Sequence, residues 1–116
     1  MIRSGRESKH NLAVDFNNRG VAYYNKADYD RAIADYNQAI RLDPSFVQAY
    51  NGRCVAYNNK GDTDRALVDC DRAISLDPNF AFAYNNRGIV KRARGDTAGG
   101  DADLSHAREL DPKLGE

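Results

Sequence analysis

Side chains that do chemistry need partners at suitable spacing, and the histidines here lack them: His10 and His106 are isolated from any second candidate ligand, so no metal site is expected. The stretch GDTAGGDADLS at 95–105 has the look of an acidic metal loop, but it lacks the alternating ligands and closing glutamate that calcium requires. No phosphate-cradling glycine motif, no serine, histidine and acid set and no paired-carboxylate cleft stands out. The chain is therefore expected to be non-catalytic and to carry no cofactor. Its two cysteines, Cys54 and Cys70, are too few for a disulfide framework. A bond between them is geometrically conceivable, but the expectation is buried free thiols acting as small hydrophobes in a reducing, cytoplasmic compartment. What remains is amide and guanidinium chemistry, written almost identically as FNNRG at 16–20, YNGRC at 50–54 and YNNRG at 84–88.

The totals narrow the partners. Lys plus Arg is 17 and Asp plus Glu is 17, giving a formal net charge of zero, which argues against a surface built to neutralise phosphates and so against nucleic acid. No apolar run approaches the roughly 20 residues needed to cross a bilayer, and the opening MIRSGRESKHNL does not resemble a signal peptide, so a soluble protein without membrane insertion is expected.

The elements that position these side chains follow from a repeat. Leu-Asp-Pro recurs at 42–44, 76–78 and 110–112, a period of 34 residues, and the units starting at Ala13 and Val47 agree at 18 of 34 positions. Within each unit a glycine stop followed by an aspartate N-cap (Gly61-Asp62, Gly95-Asp96, and Ala27-Asp28 as the first version) separates two helical stretches. The spacing predicts helices over 13–26, 29–42, 47–60, 63–76, 81–94 and 97–110, with Asp-Pro breaking the chain between units. Residues 1–12 are expected to form a flexible extension and 113–116 a tail. Gly99 and Gly100 cost roughly 1 kcal/mol each in a helix relative to alanine, so the last helix should fray first.

The units resemble the tetratricopeptide repeat. The first matches with Phe16, Gly20, Tyr23, Ala32, Tyr36, Ala39 and Pro44; the second with Tyr50, Tyr57, Ala66, Ala73 and Pro78, with Cys54 in the glycine slot and Cys70 in the aromatic slot. The third, 81–112, keeps Tyr84, Gly88, Ala107 and Pro112 but has Lys91, Gly100 and Leu104 where Tyr, Ala and an aromatic are usual. The resemblance covers 13–112 and implies an all-α fold, three helix-turn-helix units (13–46, 47–80, 81–112) stacked as a right-handed superhelix whose first helices line a concave groove. It also marks Arg19, Arg53 and Arg87 as standing where the family usually has leucine.

Each of those arginines is followed sixteen residues later by an aspartate, Asp35, Asp69 or Asp103. A charge at a half-buried position is costly unless paired, so each arginine is expected to meet one of these aspartates, within its unit or across to the neighbour. At 100 degrees per residue the fourth, eighth and eleventh positions of a unit form the packing side of the first helix, and the second, fifth, sixth, ninth, twelfth and thirteenth lie opposite. In a chain that is 29% charged, the opposite stripe carries one charge, Arg92, and eight of the 11 asparagines. Asparagine is a poor helix former, but its carboxamide donates and accepts, as an extended peptide backbone does. The candidate peptide groove is Asn17, Asn18, Val21, Tyr24, Asn51, Val55, Asn58, Phe82, Asn85, Asn86, Ile89 and Arg92. Duplication of one ancestral asparagine pair, or asparagines bonding one another between units, would give the same stripe.

Two functions follow as expectations. The first is a scaffold holding a segment of a partner protein in the groove. The second is homo-oligomerisation: only Lys113 to Glu116 follows Pro112 and residues 1–12 are too polar to serve as a lid, so the terminal units are left open to another copy. Members of the resembled family that clamp a chaperone's terminal carboxylate use lysines, asparagines and an arginine at groove positions matching Asn17, Val21, Gly52, Phe82 and Asn86. None of these is charged, so that ligand is not expected.

Overall fold

The computed structural model describes residues 5–114 and shows six helices, α1 (Gly5–Asn25), α2 (Tyr29–Leu42), α3 (Val47–Asn59), α4 (Thr63–Leu76), α5 (Ala81–Ala93) and α6 (Thr97–Leu110). Paired as hairpins, they stack in a right-handed superhelix about 51 × 28 × 24 Å in extent. No helix among the described residues is long and apolar enough to cross a membrane.

The turns form where the sequence punctuates. Gly61 and Gly95 close α3 and α5 with φ of 84° and 91°, the left-handed conformation that glycine adopts without steric cost. Ala27 is held at φ 60° in the first unit, against the preference of a residue with a Cβ. Asp28, Asp62 and Asp96 then accept from the backbone N–H of Arg31, Arg65 and Gly99, capping α2, α4 and α6. At the other end of each second helix, Asp43, Asp77 and Asp111 fold back to accept from the N–H of Ser45, Asn79 and Lys113, so Asp-Pro is an organised turn. Tyr50 and Tyr84 pin two of these turns by donating to the carbonyls of Pro44 and Pro78.

The core is built from alanines that let helices approach, among them Ala32, Ala39, Ala66, Ala73 and Ala107, all fully buried. Tyr36 is the largest fully buried side chain. A Cβ on Gly20 would lie 2.8 Å from its ring and a Cβ on Gly52 2.6 Å from it, so one tyrosine fills space that two neighbouring units leave free. In the third unit the close approach is backbone to backbone: a Cβ on Gly100 would sit 2.7 Å from the Gly88 carbonyl oxygen. Gly100 thus serves the α5–α6 contact, which its sequence cost alone does not reveal.

Two expectations are corrected. Residues 5–12, read as a flexible extension, are helical and lengthen α1 by two turns; residues 1–4 lie outside the described residues. Nothing in RESKHNLAVDFNNR stops a helix, and His10, read as isolated, anchors the added turns by bonding Asp43 at 3.0 Å and lying 5.8 Å from the Phe46 ring. Cys54 and Cys70 are not free thiols but a disulfide, fully buried, with Cα atoms 5.5 Å apart. The pair occupies the slot of the Gly20–Tyr36 and Gly88–Leu104 contacts, where the two helices of a hairpin are closest. The inference of a reducing compartment therefore loses its support from the cysteines.

Candidate functional site

Beneath the groove wall lies an ion-pair spine. Arg19, Arg53 and Arg87 each grip Asp35, Asp69 or Asp103 of the same unit with two hydrogen bonds of 2.7–2.8 Å. Of the two pairings expected from the sequence, within a unit or across to its neighbour, the one observed is within the unit, and the paired, bidentate geometry is what makes a charge tolerable so near the core. Arg53 and Arg87 each spend a further N–H on the preceding unit, reaching Asn37 Oδ1 at 2.8 Å and Asp71 Oδ1 at 3.1 Å. Arg19 has no such second contact, and its side chain is 60% exposed against 21% for the other two. Burial pushes the Asp69 carboxyl above its ordinary range in spite of Arg53. At Asp103 burial acts in the same direction, but Arg87 and Lys91 together outweigh it and hold that carboxyl below the ordinary range.

The face opposite this spine is the candidate groove. Tyr24, Val55, Asn58, Asn86 and Ile89 come together around a hollow of roughly 270 Å³, joined by Asn59 and Val90. A second hollow of roughly 580 Å³ between α1 and α3 gathers Asn17 and Asn18 with Val14, Gln48 and His10. Val21, Phe82 and Ile89 are exposed, as are Leu12 and Val68 away from this face. Asn51, Asn85 and Asn86 are half-buried.

The carboxamides behave in two ways. Asn86 donates to Asn51 Oδ1 at 2.8 Å, bonding repeat to repeat, and Asn59 donates to the Tyr24 hydroxyl at 3.0 Å. By contrast Asn17 Oδ1 and Asn58 Oδ1 are buried without a hydrogen-bond partner among the described residues, each at a cost of about 1–3 kcal/mol.

Two expected members of the stripe behave differently from the rest. Arg92 lies across Gly100, where a Cβ would meet its Cγ at 2.3 Å, and reaches toward Asp101 at 3.7 Å, so its charge is shared with α6. Gly52 contributes no side chain because the end of Tyr36 takes its place; where the smaller Cys70 stands at the equivalent point, Asn86 fits. Sequence reasoning missed His10, Ser45 and Phe46 around the second hollow: His10 comes from the overrun of α1, and Ser45 and Phe46 from the turn between α2 and α3, neither of which belongs to the helical stripe.

The family model described as Tetratricopeptide repeat matches residues 13–46 and 47–80. The chain belongs to this family. The third tetratricopeptide unit folds like the others although the match stops at residue 80; there Lys91, Gly100 and Leu104 replace residue types that define the pattern. No curated protein matches the chain. Among solved structures it is similar to the TPR domain of Arabidopsis OM64, with a TM-score of 0.88 at 24% identity over 92% of this chain and 88% of that one, a likeness of fold. It is similar also to the first TPR of Spaghetti (RPAP3) bound to the HSP90 peptide SRMEEVD, with a TM-score of 0.87 at 25% identity over 91% and 84%. The TPR2B domain of yeast Sti1, in its complex with pHsp70, aligns with a TM-score of 0.83 at 28% identity over 89% of this chain and 82% of that one.

Proposed function

We propose that this tetratricopeptide domain is a non-catalytic scaffold that holds an uncharged, extended segment of a partner protein along the inner face of α1, α3 and α5. The observation that carries this reading is the pair of carboxamides, Asn17 and Asn58, with buried oxygens that have no partner among the described residues, set in a wall that also exposes Val21, Phe82 and Ile89. An extended main chain offers donors and acceptors that such amides can answer by turning about their side-chain torsions, while alternate side chains cover the aliphatic row. The structural neighbours support peptide binding as the mode, but not their ligand. The acidic side chains of SRMEEVD need cations, and the wall offers only Arg92, already shared with Asp101.

Selection of a displayed random-peptide library on the immobilised domain tests this. Neutral, apolar-rich peptides whose binding is insensitive to salt and is lost in Asn17→Ala/Asn58→Ala are expected. Enrichment of acidic, salt-sensitive peptides, or unchanged binding by the double variant, would refute the reading. A second reading, association of copies through the terminal units, is favoured by the outer face of α1, where Leu12 is 46% exposed and Arg19 lacks the inter-unit contact of its counterparts.

A further inference from the structure

A buried tyrosine usually finds a partner for its hydroxyl, and Tyr36 has none among the described residues. Its side chain leaves α2, passes Gly20 of α1 and ends beside Gly52 of α3, where a Cβ would lie 2.6 Å from Cζ and 2.9 Å from the hydroxyl oxygen. That oxygen is not one of the wholly enclosed orphans, which are Asn17 Oδ1 and Asn58 Oδ1. Part of the 2% of Tyr36 that stays exposed is thus at its tip. The place of Gly52 decides what the tip faces. Gly52 follows Gln48 by four residues and precedes Val55 by three, so it shares their stripe of α3, between the hollow that Gln48 lines and the one that Val55 lines. It is the sixth residue of its unit, and the sixth residues of the other two are Asn18 and Asn86, each lining one of those hollows. The polar row that breaks at Gly52 in the sequence is completed in space by a hydroxyl from the helix behind it. The residues equivalent to Tyr36 cannot do this, being Cys70, held in its disulfide, and Leu104.

We propose that Tyr36 is a ligand-contacting residue of the groove, its hydroxyl donating to a main-chain carbonyl of the bound segment at the point between the two hollows. The proposal rests on the extended-segment reading given above and adds a donor to it. The enclosed oxygens of Asn17, in one hollow, and Asn58, in the other, can answer only N–H or O–H groups. A carbonyl lying between them needs a donor, and Asn86 has already committed an N–H to Asn51. Phenylalanine would fill the space beside Gly20 and Gly52 as well as tyrosine does, so packing alone does not account for the oxygen.

Tyr36→Phe removes one oxygen and leaves the packing. Neutral peptides selected on the wild-type domain are titrated into both proteins by isothermal calorimetry. Expected are equal melting temperatures at neutral pH and an affinity lower by about three- to tenfold in Tyr36→Phe, the worth of one neutral hydrogen bond. Replacing peptide amides by esters one at a time weakens one carbonyl acceptor at each step. At a single position that loss should be felt by wild type and not by Tyr36→Phe, a coupling confined to the carbonyl that the hydroxyl meets. Equal affinity of the two proteins, or no ester position at which they respond differently, overturns this contact and leaves the groove reading standing. A melting temperature that falls in Tyr36→Phe would mean that the hydroxyl is satisfied within the chain, and overturns the contact as well. If the domain selects no neutral peptide at all, the groove reading falls and the contact falls with it.

Discussion

Removing Arg53 while keeping Asp69 is the sharpest perturbation this fold offers. The Asp69 side chain is only 3% exposed, and the guanidinium supplies both of its charge-assisted hydrogen bonds, at 2.8 and 2.7 Å. Arg53→Leu therefore leaves a buried carboxylate alone, a class of change that costs about 3–5 kcal/mol, a large share of the roughly 5–15 kcal/mol that holds a domain together. The aspartate is the cause of the loss, so Arg53→Leu/Asp69→Ala should regain most of it, and the two singles and the double form a cycle. Acid should also rescue the single variant. Burial already raises the Asp69 carboxyl with its partner in place, and without that partner the folded-state value climbs further. A raised value makes the ionised folded state unfavourable at neutral pH, and the deficit vanishes once pH falls below the unfolded value and the carboxyl is neutral in both states. Arg19→Leu should be milder, because water reaches Asp35 at the open end once the exposed Arg19 is gone. Urea unfolding followed by circular dichroism, at neutral and acidic pH, measures all four variants. If Arg53→Leu costs less than about 1 kcal/mol at neutral pH, or if the double variant is as unstable as the single, the ion pair is not what satisfies Asp69.

Refolding in the presence of a reductant opens the Cys54–Cys70 link, which closes a sixteen-residue loop worth about 3 kcal/mol by chain entropy; the melting temperature should drop by on the order of 10 °C or more, and equal melting of oxidised and reduced protein would count against the bond. The Tyr36 hydroxyl is pushed up to about 12 by burial first, with Tyr24 and Asp35 adding to it, from an ordinary 10.0. Because the folded value is the higher one, stability should hold below pH 10 and fall between there and pH 12; a Tyr36→Phe variant should lack that slope, and an identical alkaline profile for the two would refute the assignment.

The helix boundaries were legible because every unit marks them with an aspartate cap and Asp-Pro, and two of the three with a glycine as well, and five of six helices start where the 34-residue register places them. The start of α1 was not, since Ser8 and Asn11 offer cap residue types that the helix runs through, and its anchor is His10, reaching a residue 33 positions away. The ion pairs were legible from charge and offset. The disulfide could have been found by the same offset: Cys54 follows Arg53 and Cys70 follows Asp69, so a hairpin that brings the charged pair together brings the sulfurs together one position on. The groove stripe was readable as a face of α1, α3 and α5, but not which amides bond each other, because Asn86 to Asn51 and Asn59 to Tyr24 depend on how far one unit is rotated on the next.

The space shared by Tyr36 and Gly52 makes the units unequal links. Losing one whole period is ordinarily the gentlest deletion a solenoid can suffer, since every junction looks like every other. Here, removing 47–80 would bring Asn86 to the place where only a hydrogen fits beside the tyrosine ring. The order of the links is thus written into their side chains, and a shortened gene would have to change Tyr36 as well before its product could close up.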